Sequence, residues 1–357
     1  MVLRELRQKI DALDDRLIAL LNERADLVHA VGELKRTQGL EIYAPEREEA
    51  LLGALTAKNA AHGGRLPAAG LRAIYREIMS ASLALEKDLA IAYLGPPATW
   101  THQAARAKFG ASVRYAPQPG IADVFDAVAR GRADYGVVPI ENSTEGAVNH
   151  TLDVFIESDL HICAQILLKI ENHLLARVRR DAIHRLYSHP QVFGQCRNWL
   201  RANFPTAELI EVSSTSRAGE LAAQAADAAA LGGQMVAELH GLFVLEHSVQ
   251  DQPNNATRFL VIGPSDCPPT GKDKTSLLFG VSDEAGALLS ALEPFRQAGI
   301  SLSKIESRPS KRKPWEYVFF VDAQCHAQDA PMVAALGGLR QRCSFLKILG
   351  SYPNVTG

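Results

Sequence analysis

Residues 254–274 read NNATRFLVIGPSDCPPTGKDK, and the chain on either side of this stretch is built by two different rules. Asn254 and Asn255 close a polar turn, Phe259-Leu260-Val261-Ile262 is a short apolar run of strand type, and GPSDCPPTGKDK is a linker by its Gly, Pro and polar content. Thr257 and Arg258 stand where the turn meets the strand. A hydroxyl and a charge at such a place either serve the loop itself or face a ligand.

Upstream of this stretch, from Ala90, strand-like runs alternate with amphipathic helices. AIAYLG, SVRYAP, ADYGVVPI, HRLYSH, AELIEV, AAALGG and TRFLVIG read as strands, with helices such as 121–130, 192–203 and 217–226 between them. This predicts a largely parallel α/β region, arranged in two lobes with a ligand cleft. Downstream of the linker the order is strand, helix, two strands, helix, strand: TSLLFGVS, 285–298, SLSKIES, EYVFFVD, 331–342, FLKILGS. That βαββαβ order is ferredoxin-like.

The N-terminal region follows a third rule. From Leu3 to Gln38 there is no Pro, and Leu6, Ile10, Leu13, Leu17, Leu20, Leu27 and Val31 recur at helical spacing. One helix of this length spans roughly 50 Å at 1.5 Å per residue, more than a small three-helix unit covers. Two further helices, 45–61 with Pro45 in the first turn and 67–89, complete the set. A second copy of the chain is the simplest cover for the exposed end of the first helix.

The chain has 357 residues, 47% hydrophobic and 22% charged, with a formal net charge of −2. This composition describes a globular protein of two or three domains and gives no general reason to expect nucleic acid or membrane as a partner. The charged amphipathic start and the lack of a membrane-length apolar run predict a cytoplasmic protein. Cys163, Cys196, Cys267, Cys325 and Cys343 are scattered without CxxC spacing, so neither a disulfide framework nor a zinc site is expected. Gly232-Gly233 and Gly337-Gly338 lack a phosphate-loop context, and no cofactor or metal is expected.

Within the first helix, Arg24 and Lys35 project within about 20° of each other, on the stripe that carries Leu6, Leu13, Leu17 and Val31. Two cations on an apolar face are either snorkelling or register-setting side chains, or ligands for an anion inside the bundle. Arg47 and Glu48 at the start of the next helix favour the anion, because buried charge needs a partner. Arg7 points about 80 to 100° away on the same wheel, where it is available to a neighbouring subunit.

Residues 1–90, with Arg7, Arg24, Lys35, Arg47, Glu48, Ser82 and Glu86, resemble the all-helical chorismate mutases, whose intertwined dimers bind a dicarboxylate between helices. The resemblance implies that Arg7 reaches the partner's site, that Arg24 and Arg47 hold carboxylates, and that Lys35 serves the ether oxygen and a carboxylate. Glu48, Ser82 and Glu86 complete the implied site, with Lys35 and Glu86 catalytic. Ala44 stands where some members carry an acid, and Glu86 where Gln is frequent.

Residues 91–264 resemble prephenate dehydratase through YLGPPATWTHQAA, YGVVPIENSTEGAV, YSHPQVFGQC and NNATRF. By this resemblance Thr257 assists the departing hydroxyl and Arg258 holds a substrate carboxylate through its forked donors. Glu141, Asn142, Ser143 and Thr144 follow a strand, while Ser188 and Gln195 flank a strand-to-helix turn, and all six are implied in substrate binding. Thr257 could instead be a hydroxyl satisfying backbone at the strand start. In GPPATW, Pro97 and Ala98 replace a commoner Glu-Gly.

Residues 275–353 resemble an ACT domain of the phenylalanine-sensing type through EAGALLSALEPF and KIESRPSKRKPWEYVFF. Gly286, Ala287 and Leu288 suit a ligand carboxylate at a helix start, and Glu306 and Ser307 an ammonium group. Ser310 to Pro314 read as a solvated hairpin tip. The implied whole is a multidomain enzyme: an all-α chorismate mutase domain, a two-lobed α/β prephenate dehydratase domain and a ferredoxin-like α+β ACT domain. It would act on chorismate and prephenate, answer to phenylalanine and form a homodimer. The alternatives are a dehydratase with a weakened mutase, or a non-catalytic two-lobed amino-acid binding protein.

Overall fold

The computed structural model describes residues 2–310 and 317–355. Two compact units divide the chain. The first holds the helices α1 (Leu3–Gln38), α2 (Pro45–Ala61) and α3 (Ala68–Glu86), together with the segment Phe109–Arg114. Gly39 ends α1 in the left-handed conformation at φ 65°, where its N–H reaches the Arg36 and Lys35 carbonyls. Pro45 opens α2 at a position whose N–H has no helical partner to lose. The core of this unit is small, with Tyr43, Leu52, Met79 and Leu83 buried. The N-terminal half of α1 lies outside it, and Leu6, Ile10, Leu13 and Leu17 are each 43 to 55% exposed.

The second unit contains three sheets. The first lobe is formed by β1 (Ala90–Leu94), α4 (Trp100–Phe109), β2 (Arg114–Gln118), α5 (Ile121–Ala129), β3 (Tyr135–Asn142), β4 (Gly146–Ala147), α6 (Asn149–Glu157) and β5 (His161–Lys169). The second lobe is formed by β6 (His173–Ala176), β7 (Arg185–Ser188), α7 (Pro190–Gln195), α8 (Arg197–Asn203), β8 (Glu208–Glu211), α9 (Thr215–Gln224), β9 (Ala228–Gly232), α10 (Gln234–His240) and β10 (Phe243–Glu246). The chain then returns to the first lobe as β11 (Ala256–Gly263), giving strand orders β2-β1-β3-β11-β5, with β4 beside β3, and β10-β6-β9-β7-β8. The two crossing segments run side by side, joined by bonds from Ile170 N to Asn255 O and from Val249 N to Asn172 O, each 2.8 Å.

The last domain has β12 (Asp273–Gly280), α11 (Ala287–Gln297), β13 (Leu302–Pro309), β14 (Tyr317–Ala323), α12 (Ala330–Arg340) and β15 (Phe345–Pro353), in the antiparallel order β13-β14-β12-β15. One face of this sheet buries Leu277, Phe279 and Val321 against Phe295, Met332 and Leu339 of the two helices. Its other face puts Leu278, Val318, Phe320 and Tyr352 into the core of the first lobe, beside Val138, Ile140, Leu260 and Ile262. At Gly350 the backbones nearly touch: a Cβ there would meet the Ile162 carbonyl oxygen at 2.3 Å.

Several expectations change. The lobes are mixed rather than largely parallel, since β11 runs antiparallel to both β3 and β5, and β6 and β10 are antiparallel to their neighbours. β5, β6 and β10 were not among the expected strands; HICAQILLK and HLLA are continuous apolar runs in which periodicity says little. The helix expected over 192–203 is two helices that meet at Cys196. Of the expected hairpin tip, Ser310 is buried and 311–314 lie outside the described residues.

Candidate active sites

The helical unit encloses a cavity of about 280 Å³. Arg24, Lys35, Arg47, Glu48, Ser82 and Glu86 all line it, as does Ala44; Arg7 does not, and lies on the exposed half of α1. Arg24 is braced by Ser82, whose Oγ accepts from its guanidinium at 2.5 Å, and Lys35 Nζ donates to the Ile42 carbonyl at 2.6 Å. Glu48 is paired with Arg76 at 2.9 Å, so its charge is answered from outside the cavity wall. The wall therefore keeps an excess of positive charge, which suits a dianion.

Glu86 is the exception among these side chains. Its Oε2 is buried without a hydrogen-bond partner among the described residues. Burial pushes its pKa above the usual carboxylate range, opposed by Lys35 and then Arg24. Gly32, the one buried residue of α1, leaves room for it: a Cβ there would lie 2.9 Å from Glu86 Cγ. A helix-interior glycine costs about 1 kcal/mol relative to Ala, and this contact is the physical reason to retain one.

A second cavity, of about 410 Å³, lies between the two α/β lobes. Thr257 and Asn142 are its centre. Thr257 Oγ1 accepts from Asn142 Nδ2 at 2.8 Å. Asn142 Oδ1 in turn accepts from Thr144 N, Thr144 Oγ1 and Glu145 N at 2.9, 2.6 and 3.1 Å, which fixes the amide's orientation. With its oxygen occupied by the amide, the Thr257 hydroxyl has no acceptor for its proton among the described residues and is free to donate into the cavity.

The neighbours of these two residues face the other way. Successive side chains on a strand alternate, so Glu141 and Arg258 emerge on the face that packs against the C-terminal sheet. Arg258 Nη1 donates to Asp322 at 2.6 Å, Glu141 meets Lys304 at 3.0 Å, and Asp322 also accepts from Ser276 at 2.6 Å. Neither residue lines the cleft, and Arg258 Nε and Nη2 are buried without a hydrogen-bond partner among the described residues. Ser143 is likewise occupied locally, its Oγ accepting from Ala256 N at 3.0 Å, and Thr144 is a brace for Asn142. Ser188 is fully buried and donates to the Leu231 carbonyl at 2.9 Å, away from the cleft.

Gln195 also misses the cleft wall. It donates to Glu145 Oε1 at 3.0 Å, and Gln191 donates to Glu145 Oε2, so these contacts clasp the first lobe to the second. Cleft residues that the sequence reading did not select include Thr99, Thr101, Glu145, His189, Ser213, Ser214 and Thr215. For the Thr and Ser residues the signal was a hydroxyl at the start of an amphipathic helix after a strand, which also describes an ordinary N-cap. Among the described residues that line the cleft there is no Lys or Arg.

The loop entering α4 is tightly organised. His102 Nδ1 accepts from Ala98 N at 3.1 Å and the ring stacks on Tyr93 with centroids 4.4 Å apart. Burial, aided by Arg106, lowers the His102 pKa to about 4, so the ring is neutral. In the C-terminal domain Gly286 caps α11 at φ 84°, next to Ala287 and Leu288. Glu306 and Ser307 do not converge: Glu306 pairs with Phe320, on the face toward the first lobe, whereas Ser307 pairs with Phe319 on the helix side.

Residues 6–87 match the family described as Chorismate mutase type II, 91–267 Prephenate dehydratase, and 275–341 the ACT domain. A bifunctional chorismate mutase/prephenate dehydratase of Aquifex aeolicus is 49% identical over 98% of both chains. The chain belongs to the bifunctional chorismate mutase/prephenate dehydratase family. A relative of the same name from Neisseria gonorrhoeae is 44% identical over 97% of this chain and 96% of its own. The structure of a prephenate dehydratase from Arthrobacter aurescens in complex with L-Phe aligns at TM-score 0.69 and 33% identity, over 74% of this chain and 90% of that one. Membership explains the three-part architecture: a cation-lined helical cavity, a cleft between two α/β lobes and a C-terminal ACT sheet. Among the described residues no helix is long and apolar enough to cross a membrane.

Proposed function

We infer that the helical unit rearranges chorismate to prephenate and that the α/β cleft converts prephenate to phenylpyruvate. The observation that carries this reading is the pair of separate cavities with different chemistry, each built by the segment that matches the corresponding enzyme family. In the first, Arg24 and Arg47 hold the two carboxylates and so favour the folded conformer, while Lys35 and protonated Glu86 donate to the ether oxygen as negative charge builds there. No covalent intermediate is needed. In the second, the bond from the ring to its carboxylate breaks, its electron pair enters the ring, and the ring hydroxyl leaves to become water. Thr257, held by Asn142, donates to that departing oxygen.

Phenylalanine acts at the ACT domain, at the α11 start formed by Gly286, Ala287 and Leu288, with Ser307 on the same side of the sheet and Glu306 on the other. A second copy of the chain covers the apolar stripe of α1 and places Arg7 in the partner's cavity, in a cytoplasmic homodimer. Supplying chorismate to the purified protein and following prephenate and phenylpyruvate separately tests the reading. Prephenate that accumulates without phenylpyruvate would leave a mutase only; turnover of added prephenate alone would leave a dehydratase only.

A further inference from the structure

Prephenate carries two carboxylates, yet among the described residues the cleft wall has no Lys or Arg, and the arginine next to Thr257 lies behind the sheet with its Nη1 on Asp322. The charge must be met otherwise. Of the helices that begin at the cleft, two bring hydroxyls to it, one from each lobe: α4 with Thr99, Trp100 and Thr101, and α9 with Ser213, Ser214 and Thr215. Each is ten residues long.

Each helix has two kinds of hydroxyl at its start. Thr99 Oγ1 accepts from His102 N at 3.3 Å, and Ser214 Oγ accepts from Arg217 N at 3.0 Å; these are caps, serving the helix. Thr101 and Thr215 serve nothing in the fold. They are 4% and 7% exposed, and their hydroxyls have no hydrogen-bond partner among the described residues. Both line the cleft, so the little surface they keep is cavity wall. The hydroxyl oxygens themselves are not sealed off: they stay in contact with the cavity, where a ligand oxygen can take the place of water. The first-turn N–H groups beside them, which no helical carbonyl can reach, carry the positive end of the helix dipole.

We propose that the first turns of α4 and α9 hold the two carboxylates of the substrate, one per lobe, with the Thr101 and Thr215 hydroxyls as donors. The proposal rests on the prephenate dehydratase reading of the cleft. Dipoles suit this reaction better than cations. One carboxylate must leave as neutral CO2, and a formal positive charge on it would stabilise the ground state more than the transition state. Backbone and hydroxyl dipoles orient the group without that penalty. Binding also bridges the lobes, beside the clasp from Glu145 to Gln191 and Gln195.

The test uses the full chain with prephenate as substrate. Thr101→Val and Thr215→Val keep the shape and remove the donor. Each is expected to raise the dehydratase KM about tenfold with kcat changed less than about threefold. Thr→Ser at either position should restore KM, and mutase activity in the same preparations should stay at the parental level, which separates a binding loss from misfolding. Phenylpyruvate, which retains one of the two carboxylates, adds a sharper readout: its inhibition should weaken in one Val variant and not in the other. KM within twofold of the parent in both Val variants, a loss confined to kcat, or equal weakening of phenylpyruvate inhibition in both would overturn the proposal. A parent protein that turns over chorismate but never prephenate would overturn the dehydratase reading itself, and this proposal with it.

Discussion

The helical cavity and the α/β cleft handle the same molecule, prephenate, as product and as substrate, and they meet its charge in opposite ways. The cavity is lined by Arg24, Lys35 and Arg47, with half-buried Glu86 among them. The cleft has no lysine or arginine among its described wall residues and relies on hydroxyls, amides and helix starts. The chemistry accounts for the difference. In the rearrangement both carboxylates persist and charge builds on an ether oxygen, so fixed cations stabilise what develops. In the second reaction one carboxylate disappears, and a fixed cation would hold it back.

The largest expected effect breaks the two halves apart. Lys35→Ala should lower mutase kcat/KM by about a thousandfold and leave prephenate conversion near normal. Thr257→Ala should lower dehydratase turnover by about a hundredfold and leave the mutase alone. The two cavities share no lining residue, so independent loss is the outcome their construction demands. Steady-state assays of both reactions on each folded variant check this; comparable loss of both activities in one variant would mean a shared site.

Next in size is the pH dependence of the cationic cavity. The Glu86 pKa is raised by burial, with Lys35 and Arg24 pulling it back, and a bound dianion raises it further. Below that pKa the carboxyl group is protonated and donates to the ether oxygen. Above it the carboxylate repels the developing charge, so mutase kcat should fall about tenfold per pH unit on the alkaline side. Glu86→Gln should remove that fall, and the dehydratase profile should not follow it. A level wild-type mutase rate far into the alkaline range would leave Lys35 as the sole donor.

A smaller effect comes from giving the cleft the cation it lacks. Ser213 is exposed on the cleft wall just before the α9 cap. Ser213→Arg should tighten prephenate binding and slow its turnover, lowering KM and kcat together by about tenfold. A faster dehydratase would contradict the account of why dipoles are used there.

Much of this was legible in the sequence, and what was not has physical reasons. The helices over 3–38 and 45–61 appear where 3.6-residue periodicity and Pro45 place them, and one face of α1 brings Arg24 and Lys35 to the cavity that α2 and α3 complete. Gly32 was missed because a small residue leaves no mark on an apolar stripe; its cost within a helix was the available signal. In the cleft, motif membership ran ahead of geometry. Glu141-Asn142 and Thr257-Arg258 each read as one functional pair, but strand alternation sends one member of each to the cleft and the other to the ACT sheet. Thr101 and Thr215 could not be told from caps until Thr99 and Ser214 were seen to do the capping.

The smallest expected effect concerns Ala98, where the chain departs from the commoner glycine of its family. Ala98 sits at φ 64°, a conformation that costs a residue with a Cβ about 1 to 2 kcal/mol. Ala98→Gly would relieve that strain, at a loss of about 0.5 to 1 kcal/mol in unfolded-chain entropy. The methyl group has a second role. Ala98 is buried in a cluster with Leu175, Tyr187 and Ala218, so a side chain from a first-lobe loop is part of the second lobe's core. Removing a buried methyl costs about 0.8 kcal/mol. The opposing contributions nearly cancel, and thermal unfolding of the Gly variant should shift by no more than about 2 °C. Dehydratase KM should rise modestly, because the lobes lose a contact that favours the closed cleft, while mutase kinetics stay unchanged. A clear gain in stability would show that the methyl contributes nothing across the lobes, and a clear loss would show that the loop is not strained at this residue.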